Sequence, residues 1–143
     1  MIQRIQSIFL ALSAACFGSL FGFPFASSSA TNNGVFSDQL YNLHDHTIFL
    51  VLTGLGVALS LAAIFLFKNR VLQIRLVIFS IIAYVSLIAS AILIFMNLQL
   101  PESLEVSDQA GIYLPFVGLV FSALAIRSIN KDEKLVQSMD RLR

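Results

Sequence analysis

The chain has 143 residues, 57 % of them hydrophobic and only 12 % charged, with a net charge of +1, no Trp and a single cysteine, Cys16. A soluble domain carries about twice that charged fraction, and a core of this size leaves too much surface in water to hide so many apolar side chains. The composition therefore excludes a soluble globular domain and leaves the bilayer as solvent. One cysteine excludes an intrachain disulfide and a cysteine-based metal cluster; no Lys/Arg block of nucleic-acid-binding type and no Gly-rich phosphate loop occurs.

In chain order, Met1–Gln6 is a short polar lead-in to an apolar run that ends near Pro24, predicted as a transmembrane helix at about 6–25. Two cleaved alternatives stand beside it. A signal peptide would place Ser28-Ser29-Ala30 before the cut, and a lipoprotein signal would place Leu12-Ser13-Ala14-Ala15 before Cys16. The apolar region of about 18 residues exceeds the ~7–15 usual for a signal peptide, and the chain stays apolar beyond Cys16 through Phe17, Leu20 and Phe21. Both points favour a retained helix.

Residues 26–46 form a first external loop. Its first half, Ser27 to Gly34, is rich in turn formers and is expected to be flexible; Val35–Leu43 is partly apolar, suited to the membrane surface or a short strand. Thr47–Phe67 and Leu76–Leu98 are then two charge-free runs of membrane-spanning length, joined through Lys68, Arg70 and Arg75. They predict a helical hairpin with spans at about 47–67 and 73–98. Residues 99–109 form a second external loop, with Pro101 as a helix stop and Glu102, Glu105 and Asp108 as its charges. A fourth span at about 110–127 tolerates Pro115 in its first turns. The tail 128–143 places Ile129, Leu135, Val136, Met139 and Leu142 at near-helical spacing among charges, predicting an amphipathic helix on headgroups or on a partner. The alternative is a solvated, marginal helix at the chain end.

The charges fix the expected topology. All nine cations, namely Arg4, Lys68, Arg70, Arg75, Arg127, Lys131, Lys134, Arg141 and Arg143, fall on one side of this arrangement. The opposite loops hold Asp38, Asp45, Glu102, Glu105 and Asp108 and no cation. The positive-inside rule then puts both termini in the cytoplasm. The expected fold is an all-α membrane protein: one domain over 1–143, a four-transmembrane-helix bundle with a C-terminal amphipathic helical tail.

Few residues point to chemistry. His44-Asp45-His46 has metal-ligand character, with Asp38 and Tyr41 nearby in sequence, and His44 and His46 are weak candidates for a metal or pH-sensing site. The competing expectation is structural: Asp45 or Thr47 caps the second helix. No Asp, Glu, His, Lys or Arg falls well inside a span, which argues against an enzyme and against an ion-coupled carrier, whose pathways need such groups. No cofactor is expected. Small residues recur instead. Gly18 and Gly22 in the first helix are expected to give the closest approach, with Gly54 and Ala58, Ser86 and Ser90, and Gly118 and Ser122 serving the others.

The two ends carry a resemblance. Met1-Ile2-Gln3-Arg4-Ile5-Gln6, Lys131-Asp132-Glu133-Lys134-Leu135-Val136 with Ser138 and Asp140-Arg141-Leu142-Arg143, and Gly111-Ile112-Tyr113-Leu114-Pro115 resemble an uncharacterised family of short bacterial four-span membrane proteins, classed as a domain of unknown function. The resemblance implies a multi-pass protein of the bacterial cytoplasmic (inner) membrane and supplies no catalytic residues. Its distinctive residues gather on the expected cytoplasmic face. Arg4, Lys131, Asp132, Glu133, Lys134, Asp140 and Arg141 are therefore partner-docking candidates, with Arg4 also placed to pair with Asp132, Glu133 or Asp140. The function expected is that of a non-enzymatic small subunit or scaffold in the lipid bilayer, with a protein partner or as a homo-oligomer and no nucleic acid. The alternative is a component of a transporter or channel formed on oligomerisation.

Overall fold

The computed structural model describes residues 3–31, 36–98 and 105–140, with side chains over 5–31, 36–98 and 105–138. Four helices dominate: α1 (Gln3–Gly18), α2 (Thr47–Phe65), α3 (Arg70–Asn97) and α4 (Ala110–Asp140). The latter three are long and apolar enough to cross a membrane, whereas the apolar helical stretch Ile5–Phe21 is shorter. Pro24 and the 3₁₀ turn Ser19–Phe21 end α1 early, because proline offers no N–H and disfavours helix in the residue before it.

Buried residues in each helix follow alternating steps of four and three: Gln6, Leu10, Ser13 and Phe17 in α1, carried on to Leu20 in the 3₁₀ turn; Phe49, Thr53, Gly56, Ser60 and Ala63 in α2. The same rhythm runs through Gln73, Val77, Ser80, Tyr84 and Leu87 in α3 and through Gly111, Pro115, Gly118, Ser122, Ala125, Ile129 and Asp132 in α4. A seven-residue repeat is that of left-handed helix packing with side chains set into holes on the facing helix. Pro24 meets Gly111, Phe17 meets Gly118 and Ser13 bonds Ser122, so each step forward on α4 is matched by an equal step back along the chain from Pro24 into α1. The pair is antiparallel and in register. α2 and α3 form the second pair, α1 lies against α2, and α3 meets α4 less closely than these pairs do.

The seams are small and polar while the outside is large and apolar. Phe65 is 77 % exposed, Leu93 60 % and Phe79 58 %, and only 28 % of each long apolar stretch is buried. In water this distribution would be untenable. In lipid it is expected, since hydrocarbon supplies no drive to hide Leu and Phe and leaves close contact and hydroxyl bonds to hold helices together.

Of the glycines expected at the seams, Gly118 is tightly packed and Gly18, Gly22 and Gly54 are not, while Gly56 and Gly111 join it. A Cβ at Gly118 would strike the Phe17 ring, at Gly56 the Tyr84 ring, and at Gly111 the backbone of Phe23 and Pro24. At Gly18 and Gly54 it would meet nothing, and at Gly22 only the Ser19 carbonyl. Gly54, Ala58 and Ser86 face outward, and Ser90 turns its hydroxyl back onto the Leu87 carbonyl. The closest approach is thus an aromatic ring seated on a glycine, not Gly18 on Gly22. A sequence reader sees small residues on two faces of a lipid-bathed helix; the rings on other helices select one.

The loops hold what an all-α fold lacks, a three-stranded antiparallel sheet of order β2-β1-β3 made from Ala26–Ser28 (β1), Leu40–Tyr41 (β2) and Val106–Asp108 (β3). Ser27 and Ser28, expected in a flexible run, are ordered because both edges of β1 find partners: Ala26 sits between Tyr41 and Asp108. Gln39, at φ 63°, turns the chain into β2 and its carbonyl accepts from Ser28 N–H at 2.8 Å. Pro101 and Glu102 fall outside the described residues. Under the sheet, Phe25, Phe36, Tyr41 and Phe49 form a buried cluster with edge-on and tilted rings 5.6–6.2 Å apart.

Candidate functional site

The two ends of the bundle differ, and the polar candidates divide between them. At the sheet end, Asp45 accepts the Asn42 N–H at 2.6 Å and closes a 3₁₀ turn, Leu43–Asp45, that delivers the chain to α2. The residue capping α2 is His46, which makes no side-chain cap bond, so Asp45 stabilises the turn before the helix and not the helix itself. Burial raises the Asp45 carboxyl above its ordinary value, opposed by the Asn42 N–H. Burial, reinforced by Asp45, also holds the Tyr41 phenol well above the ordinary tyrosine range, and its hydroxyl donates to the Ala91 carbonyl at 3.1 Å. The two histidines are packed on different rings, His44 edge-on to Phe21 at 6.2 Å and His46 to Phe49 at 5.2 Å. Among the described residues no group of three or more His, Cys, Asp or Glu gathers to hold a metal, so His44 and His46 have no third ligand of that kind beside them.

At mid-height the seams carry hydroxyls. Ser13 and Ser122 bond at 2.7 Å, Ser60 and Tyr84 at 2.8 Å, and Ser122 also donates to the Gly118 carbonyl. Ser80 returns its proton to Val77 of its own helix. These contacts tie helix to helix and leave no side-chain charge in the centre. Thr53 Oγ1 is buried there without a partner.

His46 Nε2 at the sheet end is likewise buried without a partner among the described residues, but the opposite end, where α1 begins and α2 turns into α3, holds the unmatched carboxylate. Gln73 is fully buried and its amide donates to the Ala63 carbonyl at 2.9 Å, but its Oε1 has no partner among the described residues. Asp132 is 6 % exposed, and neither carboxylate oxygen has a partner among the described residues. It occupies the next seam position after Ile129, which packs with Leu10, Ala63, Val77 and Ala125. A carboxylate in such a place costs several kcal/mol unless something meets it, by the order of ~2–7 kcal/mol for an unpaired buried polar group.

Around Asp132, α4 presents the remaining candidates. Arg127, Lys131 and Lys134 line one exposed face with Asn130 and Leu135, a shallow groove directly below Ala123 and Ile126. Glu133 is half-buried and its carboxylate accepts from Gln137 at 3.4 Å. α4 runs unbroken to Asp140, so the tail continues the last helix instead of bending from it. Its apolar stripe is split: Ile129 is buried, Leu135 and Val136 are 42 % and 38 % exposed. The side chains of Arg4 and Asp140, and Arg141 itself, lie outside the described residues. Sequence periodicity placed Asp132 on the polar side of the tail because it weighed only apolar residues; the seven-residue rhythm of Gly118, Ser122, Ala125 and Ile129 was the signal that reaches it.

No curated protein and no solved structure matches the chain. A family model does, the domain of unknown function DUF4293, over residues 2–142, nearly the full length. With four helices that expose their large apolar side chains and three long enough to cross a membrane, the chain is a member of the DUF4293 family.

Proposed function

We propose that this chain is a non-enzymatic four-span protein of the bacterial inner membrane, both ends in the cytoplasm, that serves as a small subunit or scaffold and docks a protein partner through the end of α4. The positive-inside rule supports the orientation, since the sequence keeps every Lys and Arg out of residues 26–46 and 99–109. At 17 residues, Ile5–Phe21 covers about 25 Å, and the polar first turn and Pro24 bracket a crossing that tilts little.

The observation that carries the docking proposal is the unmatched Asp132. An isolated membrane scaffold gains nothing from a buried carboxylate without a partner, whereas a cation brought by another chain, or by Arg4, makes it a specific contact. The flanking Lys131 and Lys134 and the outward Leu135 and Val136 give that contact a charged and apolar surround. Truncation after Ile129 or the double substitution Lys131→Glu with Lys134→Glu is expected to remove a co-purifying protein from mild-detergent extracts while the helical content persists. An unchanged set of co-purifying proteins would refute the docking role.

A second proposal, a transporter or channel component completed by oligomerisation, has the hydroxyl row Ser13, Thr53, Ser60, Ser80 and Ser122 in its favour. Flux of a polar solute into liposomes holding the purified protein alone separates the two; its absence leaves the scaffold.

A further inference from the structure

Beneath the sheet, α3 and α4 flank a cavity of about 190 Å³. Leu87, Ala91 and Phe95 of α3 form one wall, and Ile112, Pro115 and Phe116 of α4 the other. The roof is the cross-strand row Tyr41, Ala26 and Asp108, directly opposed residues whose side chains share one face of the sheet. Since the Tyr41 hydroxyl is engaged with the Ala91 carbonyl, the lining is apolar except for one charge, Asp108, at the rim. Asp108 is exposed and has no ion-pair partner among the described residues.

An apolar cavity of ~150 Å³ stays dry and takes up a hydrocarbon such as benzene, so a space of about 190 Å³ suits part of an alkyl chain. The mouth lies between Ile92 and Phe116, 51 % and 52 % exposed, on the surface that meets hydrocarbon when α3 and α4 cross a bilayer. The lining selects the head group: it holds one carboxylate, Asp108, and no Lys or Arg, which repels a net anionic head and attracts an ammonium.

We propose that this cavity holds one acyl chain of an ethanolamine-headed phospholipid, entering sideways between α3 and α4, with its ammonium on Asp108. This rests on the membrane placement proposed above. The protein is reconstituted into bilayer discs of equal ethanolamine- and glycerol-headed phospholipids of one acyl composition, and its retained lipid is read by native mass spectrometry. One phospholipid per chain is expected, the ethanolamine form favoured about threefold, the size of a single exposed ion pair. Asp108→Asn should abolish the preference but keep the lipid, and Ala91→Phe, which fills the cavity, should remove the lipid. A photoreactive acyl chain applied to the unsubstituted protein gives a readout independent of variant folding, and should label Ala91, Ile92, Ile112 and Phe116 above Val51 and Leu55 of the outer face of α2. Even labelling, a preference for the anionic lipid, or an undiminished lipid on a folded Ala91→Phe protein overturns the assignment. Failure to enter the discs overturns the membrane proposal with it, whereas entry without a retained lipid overturns the cavity assignment alone.

Discussion

The sheet end and the terminal end of this bundle are built on opposite principles. At the sheet end every strand edge of β1 is paired, aromatic rings fill the space below, and Gly111 N–H donates to the Pro24 carbonyl at 3.0 Å where α4 passes the start of the loop. At the terminal end Asp132 and Gln73 Oε1 are buried without partners among the described residues, and α4 carries exposed cations and apolar side chains side by side. The first end is tied together by its own backbone and rings, around the cavity between α3 and α4. The second has unmet hydrogen-bonding capacity at a carboxylate, and the contrast teaches where to test the proposed docking first.

Substitutions should separate the ends cleanly. The largest effect is expected at Gly111, where a Cβ meets backbone that cannot yield: Gly111→Ala should cost about 3 kcal/mol, read as a lower unfolding midpoint in detergent. Gly118→Ile displaces the Phe17 ring and should cost about 2 kcal/mol, while Gly18→Ile stays within about 0.5 kcal/mol. Equal losses at Gly18 and Gly118 would mean that the seams are drawn wrongly.

Asp132 tests the other end. Asp132→Leu replaces an unmatched buried carboxylate by an apolar side chain and should stabilise the isolated protein by about 1 kcal/mol. The same substitution should weaken partner capture, a combination that a purely structural residue does not show. Loss of stability instead would identify Asp132 as an internal tie of the chain, held by groups such as Arg4.

Asp45 gives the smallest effect and carries a sign. Its carboxyl is raised by burial, so the folded protein favours the protonated form: the contribution is present below the ordinary carboxylate value and is lost as pH rises through the raised one. Thermal midpoints of the unsubstituted protein should therefore fall slightly across that window, and Asp45→Asn should flatten the change while keeping one acceptor for Asn42 N–H. A midpoint that rises with pH there, and does so less in Asp45→Asn, would place the Asn42 contact above burial in the balance.

Helix number and the positions of α2 and α3 were legible because lipid imposes length and excludes charge: Thr47–Phe67 and Leu76–Leu98 read as spans, and α2 and α3 are there, whereas α1 ends earlier and α4 runs further than expected. The loops were not, since Ser27 and Ser28 have no strand signal of their own and are ordered only by Leu40 and by Ser107 and Val106 from a segment far along the chain. Nor was the facing of α1 and α2. Gly18, Gly54 and Ala58 look as suitable for close packing as Gly56 and Gly118, and only the reach of Tyr84 and Phe17 distinguishes them.

What the sequence determined by itself is the suitability of its helices for a bilayer, in apolar runs too long and too uncharged for water, and the segregation of its cations into one set of connections, on which the proposed sidedness rests. What only the tertiary structure decided is which small residues receive a ring, which serines find each other, and that Asp132 turns inward. The reason is physical. Hydropathy is a property of each segment, whereas in a bilayer the faces of a helix are nearly equivalent until a neighbouring helix, packing by shape and hydrogen bonds, selects one of them.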